Sequence, residues 1–188
     1  MRISGGGARG IPLMVPKGDA VRPATDGMRQ AVFSSLATRV PGAVFLDLFA
    51  GSGAYGLEAL SRGATGGMFV EKNAKAVGCL RHNLAAVCKS IGRGLERLEI
   101  RQADVLTASL ASGGSAADLV FIDPPYEIIA ELSAPLFARL DELAAVQPDL
   151  LVIFEMPGEL ALAPEGWRCT RRLGKGVHQP TICFFQRG

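Results

Sequence analysis

Phe45-Leu46-Asp47-Leu48-Phe49-Ala50-Gly51-Ser52-Gly53-Ala54-Tyr55-Gly56 reads as a strand, a glycine turn and the start of a helix. Gly51 and Gly53 allow positive φ and close approach of backbone to a ligand. Gly56 lets the following helix, opening Leu57-Glu58-Ala59-Leu60, sit tightly on the sheet. The next apolar run, Met68-Phe69-Val70, ends in Glu71, 20 residues after Gly51, where a carboxylate can accept from ribose hydroxyls. Taken alone, the glycine spacing fits a dinucleotide, another adenosyl ligand, or a tight turn with no ligand. Glu71 on the same terms is a ribose acceptor or a solvated strand-end charge.

A second motif narrows the choice. Asp118-Leu119-Val120-Phe121-Ile122 is a short apolar strand that stops at Asp123-Pro124-Pro125-Tyr126. Two prolines fix φ and remove two backbone donors, so the chain leaves the sheet in a stiff extended turn. That turn offers a carboxylate at Asp123, the Pro124 carbonyl and the Tyr126 ring. These parts suit a planar group bearing an exocyclic amine.

Outward from these motifs, strands are expected near 43–48, 67–71, 98–102, 118–122 and 149–154. Helices are expected at 55–62, 73–90, 104–111 and 128–145, with a further helix running from Thr25 or Asp26 to about Arg39. Regular alternation of strand and helix argues for a parallel sheet covered on both faces. The end of the chain differs, because Trp167–Arg172 and Thr181–Gln186 leave no room for a helix between them. They should pair antiparallel at the sheet's edge. The first 20 residues, rich in glycine and proline, read as a basic N-terminal arm or hairpin, and residues 21–188 as the main domain.

At 188 residues with 48% hydrophobic content, the chain can bury a sizeable core. No apolar run approaches the roughly 20 residues needed to span a bilayer. The start, Met1-Arg2-Ile3-Ser4-Gly5, lacks the apolar segment of a secretory signal, so a cytoplasmic location is expected. Cys79, Cys88, Cys169 and Cys183 show no metal-ligand spacing, and His82 and His178 stand outside any motif. The expectation is reduced thiols and no metal. Nothing in the pattern specifies an oligomeric state.

The net charge of +2 conceals an asymmetry: residues 1–39 carry +4, residues 40–159 carry −6, and residues 160–188 carry +4. Basic ends flanking an acidic middle point to a polyanion held at the ends, with nucleic acid the favoured partner.

Arg22-Pro23-Ala24-Thr25-Asp26 with Arg29, the Asp47–Gly53 stretch, Glu71 and Asp123-Pro124-Pro125-Tyr126 together resemble the RsmD-type 16S ribosomal RNA guanine-N2 methyltransferases. The resemblance runs over nearly the whole chain. It implies the class I S-adenosylmethionine-dependent methyltransferase fold: an α/β doubly wound, Rossmann-like, mostly parallel seven-stranded sheet. Its last strand would insert antiparallel beside the fifth. It also implies that Asp47, Phe49, Gly51 and Gly53 hold the methionine end of S-adenosylmethionine. Glu71 would take the ribose, Asp104 the adenine amine unless it is a helix cap, and Asp123 would adjoin the methyl group. Asp123, Pro124 and Tyr126 become the catalytic residues. Arg9, Arg22, Arg29, Arg171 and Arg172 become contacts for 16S ribosomal RNA or the small ribosomal subunit. Departures fall at Gly7, Ala24, Gly27 and residues 176–178, away from the glycines and the Asp-Pro-Pro-Tyr turn.

The chemistry agrees with that resemblance. A nucleobase amine is a poor nucleophile because its lone pair is delocalised into the ring. Hydrogen bonds to Asp123 and the Pro124 carbonyl would localise that pair and aim it, while Tyr126 stacks on the flipped base. Two other classes remain open. Gly51-Ser52-Gly53-Ala54-Tyr55-Gly56 matches the GxGxxG of NAD-dependent oxidoreductases, although no hydride-transfer constellation follows. A non-catalytic RNA-binding module is the other, and retention of Asp123 and Tyr126 argues against it. Among methyltransferases, adenine N6, cytosine N4 and protein glutamine are alternative acceptors.

Overall fold

The computed structural model describes residues 1–16, 26–111, 116–174, 176 and 179–188. Arg22 and the rest of the Arg22–Thr25 motif lie outside the described residues. Elements run α1 (Asp26–Ser35), β1 (Val44–Leu48), α2 (Ala54–Ser61), β2 (Gly66–Glu71), α3 (Ala74–Ser90), β3 (Leu98–Gln102) and β4 (Leu119–Ile122). A 3-10 turn (Tyr126–Ile128), α4 (Ile129–Val146), β5 (Leu151–Pro157), β6 (Trp167–Leu173) and β7 (Pro180–Arg187) complete the chain.

The strands form one sheet in the order β3-β2-β1-β4-β5-β7-β6. The first five are parallel, and β7 runs antiparallel to both β5 and β6. The expected terminal pair is therefore present, with β7 inserted between β5 and β6. Side-chain alternation splits the core in two. Phe45, Phe69, Phe121, Ile153 and Phe184 face α1, α2 and α3. Leu46, Val70, Ile122, Phe154 and Phe185 face α4. Runs such as Val44–Leu48, apolar apart from Asp47, are buried on both faces, as a covered parallel sheet requires.

Residues 1–16 fold as a hairpin with an Arg2–Pro12 bridge, and Ile3, Ala8 and Leu13 are buried in the α1–α3 core. A charged cluster locks it there. Glu58 accepts from the Ser4 backbone and hydroxyl, both at 2.8 Å, from Arg62 Nε at 2.8 Å and from Arg29 Nε at 3.4 Å. Arg29 also donates to the Arg2 carbonyl at 2.5 Å and to Asp26 at 2.7 Å.

One expected helix is absent. Residues 104–111 make a single turn, closed by the Thr107 and Ala108 N–H groups on the Asp104 carbonyl at 3.1 and 2.8 Å. The Asp104 carboxylate takes the Leu106 N–H at 2.9 Å, a local bond that competes with helix propagation. Val105, Ala108 and Leu110 are buried, a spacing that does not continue one helical face. The first helix is also shorter than expected, giving way after Ser35 to turns through Val40. No helix among the described residues is long and apolar enough to cross a membrane.

Candidate active site

The chemistry-bearing side chains gather at the carboxyl ends of the parallel strands, where open α/β sheets bind ligands. As β1 ends, Phe49 adopts φ 62°, a strained value for a bulky residue and one that persists where structure over-determines it. The turn then passes through Gly51 (φ 53°) and Gly53 (φ 87°). A Cβ on Gly53 would lie 2.3 Å from Leu80, so this glycine serves packing against α3. A Cβ on Gly51 would meet nothing within 4 Å, so the turn has one open side there. At Gly56 a Cβ would come within 2.4 Å of Phe69 and 2.6 Å of Phe45, which explains the glycine by helix-on-sheet contact.

Two carboxylates occupy the turn's amide groups. Asp47, buried beneath α2, accepts the Gly56 N–H at 2.8 Å. Glu71 accepts the Gly51 N–H at 2.8 Å and the Asn73 N–H at 2.7 Å, tying the end of β2 to the turn. Burial pushes the Asp47 carboxyl up to about 8, with the Glu71 charge adding to the rise and the Gly56 N–H opposing it.

Asp123 follows β4, and Pro125 turns the chain so that Tyr126, 39% exposed, stands at the mouth of the site. Glu155 in β5 is the fourth carboxylate of the edge. It is buried and accepts the Tyr55 hydroxyl at 2.9 Å, and the Tyr126 hydroxyl lies near enough to favour its ionised form. Desolvation raises the Asp123 carboxyl well above the usual range, and the charges of Glu155 and Asp47 raise it further. Desolvation raises Glu155 too, against the two tyrosine hydroxyls and the Arg29 charge, which favour its ionised form. The edge is thus an enclosure of acceptors in which every carboxylate would gain from a nearby cation.

Of the cofactor residues expected from sequence, Asp47, Phe49, Gly51, Gly53, Glu71 and Asp123 lie together along this edge. Asp104 lies just past the end of β3, exposed, with Leu106 capped by one oxygen and the Lys72 ammonium 4.0 Å from the other. The arginines are scattered. Arg9 is exposed on the hairpin, while Arg171 and Arg172 are exposed on β6, at the far edge of the sheet. Arg172 also donates to the Gly158 carbonyl at 2.5 Å. Arg29 is the correction: expected at the RNA surface, it is fully buried and committed to the Glu58–Asp26–Arg2 cluster.

Sequence reasoning missed three residues. Glu155 was legible as the lone acid in the apolar run Leu150–Met156, near the carboxyl end of β5 as Glu71 closes β2 and Asp123 follows β4. Tyr55 stood inside the glycine motif without a role. Asn83, buried in mid-helix, gave no signal. Its side chain accepts the Met14 N–H at 2.8 Å and donates to the Met14 and Ser52 carbonyls, both at 2.9 Å. It thereby joins the hairpin to the glycine turn. Among the described residues no group of His, Cys, Asp or Glu could hold a metal ion.

The strand order, the antiparallel β7 and the acidic edge around a glycine turn define a class I methyltransferase fold. The chain belongs to the family described as Conserved hypothetical protein 95, whose family model matches residues 1–185. It is 38% identical over 130 residues to the Ribosomal RNA small subunit methyltransferase D of Escherichia coli (strain K12). That alignment takes in 67% of this chain and 60% of that relative, less than two thirds of its length. The Haemophilus influenzae protein of the same name is 30% identical over 180 residues, covering 94% of this chain and 90% of its own. A solved structure described as "Putative methyltransferase yhhF from Escherichia coli" superposes with a TM-score of 0.76 at 30% identity, covering 100% of this chain and 97% of that one.

Proposed function

We propose that this chain is an S-adenosylmethionine-dependent methyltransferase that modifies the exocyclic N2 amine of a guanine in 16S ribosomal RNA. The observation that carries the cofactor class is the occupation of the glycine turn by carboxylates. A dinucleotide site offers free N–H groups at the helix start to a pyrophosphate. Here Asp47 takes the Gly56 N–H and Glu71 the Gly51 N–H, and Asp123 and Glu155 stand close by. That edge leaves a pyrophosphate none of those N–H groups and suits a ligand bearing an ammonium and a sulfonium, which would favour its ionised carboxylates.

The residues fit such a ligand. Asp47 would face its ammonium, Glu71 keeps lone pairs for ribose hydroxyls, and the open side of Gly51 admits the chain between. When bound, S-adenosylmethionine supplies a methyl group activated on sulfur. Asp123 and the Pro124 carbonyl hold the two hydrogens of the base amine and aim its lone pair. Tyr126 stacks on the base, whose extrusion costs a few kcal/mol, against roughly 1–3 kcal/mol regained per stacked base. Asp123, ionised when a cationic ligand lies beside it, would take the proton that the alkylated amine releases.

Ribosomal RNA as substrate rests on the names of the two 30–38% identical relatives. The Asp-Pro-Pro-Tyr turn supports a nucleobase amine, and the guanine assignment rests on the family resemblance. Arg9, Arg171 and Arg172 remain as RNA contacts in this reading, together with Arg22, which lies outside the described residues. Melting the protein with S-adenosylmethionine, S-adenosylhomocysteine and NAD in turn tests the cofactor class. A ligand at 100 times its Kd adds about 2.7 kcal/mol. Stabilisation by NAD alone would overturn the proposal.

A further inference from the structure

We infer that Glu155 is the residue that selects the base, accepting the ring N1–H of guanine while Asp123 accepts from the neighbouring N2 amine. The inference rests on the reading of this site as a nucleobase methyltransferase and concerns which base it takes.

Ile122 of β4 pairs with Phe154 of β5, so Asp123, just past β4, and Glu155, within β5, lie at the same level on adjacent strands. The strands stand about 4.8 Å apart. Alternation turns both side chains to the face of Phe121 and Ile153, the face that also carries Tyr55. Two carboxyl groups thus sit side by side in a desolvated corner, acceptor-only in the ionised form that the Tyr55 hydroxyl and a cationic ligand favour. Ionised, a carboxylate offers about four lone-pair positions. Glu155 uses one for the Tyr55 hydroxyl, has the Tyr126 hydroxyl nearby, and keeps capacity for a further donor. It is 1% exposed, yet Tyr126, which caps it, is 39% exposed. The route to Glu155 therefore passes the residue on which the base would stack.

Guanine carries two adjacent donors, N1–H and the N2 amine. Adenine and cytosine place a bare ring nitrogen beside their amine, which would meet the Glu155 oxygen lone pair to lone pair. The hydroxyl proton of Tyr55 is already spent on Glu155, so it offers that nitrogen no donor. An acceptor wall of this kind admits guanine and rejects the other two, because a buried group left unpaired is costly.

The test uses 2-aminopurine, which keeps the amine at C2 and lacks the N1 hydrogen. Methyl transfer from labelled S-adenosylmethionine to small-subunit RNA first locates the modified nucleotide. RNA fragments carrying guanosine or 2-aminopurine at that position are then compared with wild type and Glu155→Gln. Wild type should prefer guanosine by at least about tenfold. Glu155→Gln, whose amide can donate to a bare N1, should narrow or reverse that preference. Both RNAs meet the same preparation, so the ratio is independent of how much variant is folded. If the variant turns over neither, competition binding of the two RNAs with S-adenosylhomocysteine present gives the same ratio. An unchanged ratio in the variant, or equal use of both RNAs by wild type, overturns the inference. Failure of wild type to methylate any RNA would instead sink the proposed function.

Discussion

Replacing Asp47 with Asn should uncouple ligand binding from protons. Burial pushes the Asp47 carboxyl up to about 8, far above its ordinary value of 3.8. Folded protein therefore holds a proton that the unfolded chain releases between those two values. The sign follows: a raised carboxyl favours the folded state at low pH, and that contribution fades as pH rises through about 8. Its slope reaches at most about 1.4 kcal/mol per pH unit. A cationic ligand beside Asp47 requires the ionised form, so at pH 7 binding should expel nearly one proton from this residue. Asp123 and Glu155 add their own release, which makes the difference between wild type and Asp47→Asn the informative quantity. Calorimetry in two buffers of different ionisation enthalpy reads it directly. The variant should release nearly one proton fewer. It should also bind S-adenosylmethionine more weakly by about 1.5–3 kcal/mol, the value of a charged hydrogen bond. Its Asn oxygen can still accept the Gly56 N–H, so the fold should hold. Equal proton release in both proteins would refute the electrostatic account of the glycine turn.

Gly56→Ala should destabilise the protein by roughly 1–3 kcal/mol, because the added carbon overlaps Phe69 and Phe45; chemical denaturation checks it, and a neutral result would show that α2 is free to shift. Tyr126→Ala should lose both the stacking face and the hydroxyl beside Glu155, whereas Tyr126→Phe keeps the ring and loses only the hydroxyl. Turnover should then rank wild type, Phe, Ala, and a Phe variant equal to wild type would leave the hydroxyl without a role. Neutralising Arg9 and Arg171 together should flatten the salt dependence of RNA binding, whose slope is roughly −0.7 per phosphate contact on single strands. Binding measured at two salt concentrations decides this, and an unchanged slope would place the RNA elsewhere.

The sheet was legible because each strand's apolar run and each turn's glycine or proline are local signals. The Asp47–Gly53 turn and the Asp123–Tyr126 turn carried the site for the same reason, with ligand-facing groups and turn chemistry in one short stretch. What escaped depends on long-range contact. Arg29 looks like any cation near a basic end until the hairpin, α1 and α2 enclose it against Glu58. Glu155 gains its meaning only when β5 lies beside β4 and two tyrosines, 71 positions apart in the chain, converge on it. The expected helix at 104–111 failed because an aspartate's local hydrogen bond outweighed an apolar pattern too short to hold a helical face. Charge summed by segment also hides local detail. The acidic middle contains α3, whose Lys75, Arg81 and Lys89 are exposed and which has no acidic residue.

Nucleoside mass spectrometry of small-subunit ribosomal RNA, after incubation with this protein and isotopically labelled S-adenosylmethionine, addresses the central claim most directly. The account predicts labelled N2-methylguanosine with wild type and none with Asp123→Ala, whose S-adenosylmethionine affinity is largely retained. Label on adenosine or cytidine, or equal labelling by the Asp123 variant, would contradict it.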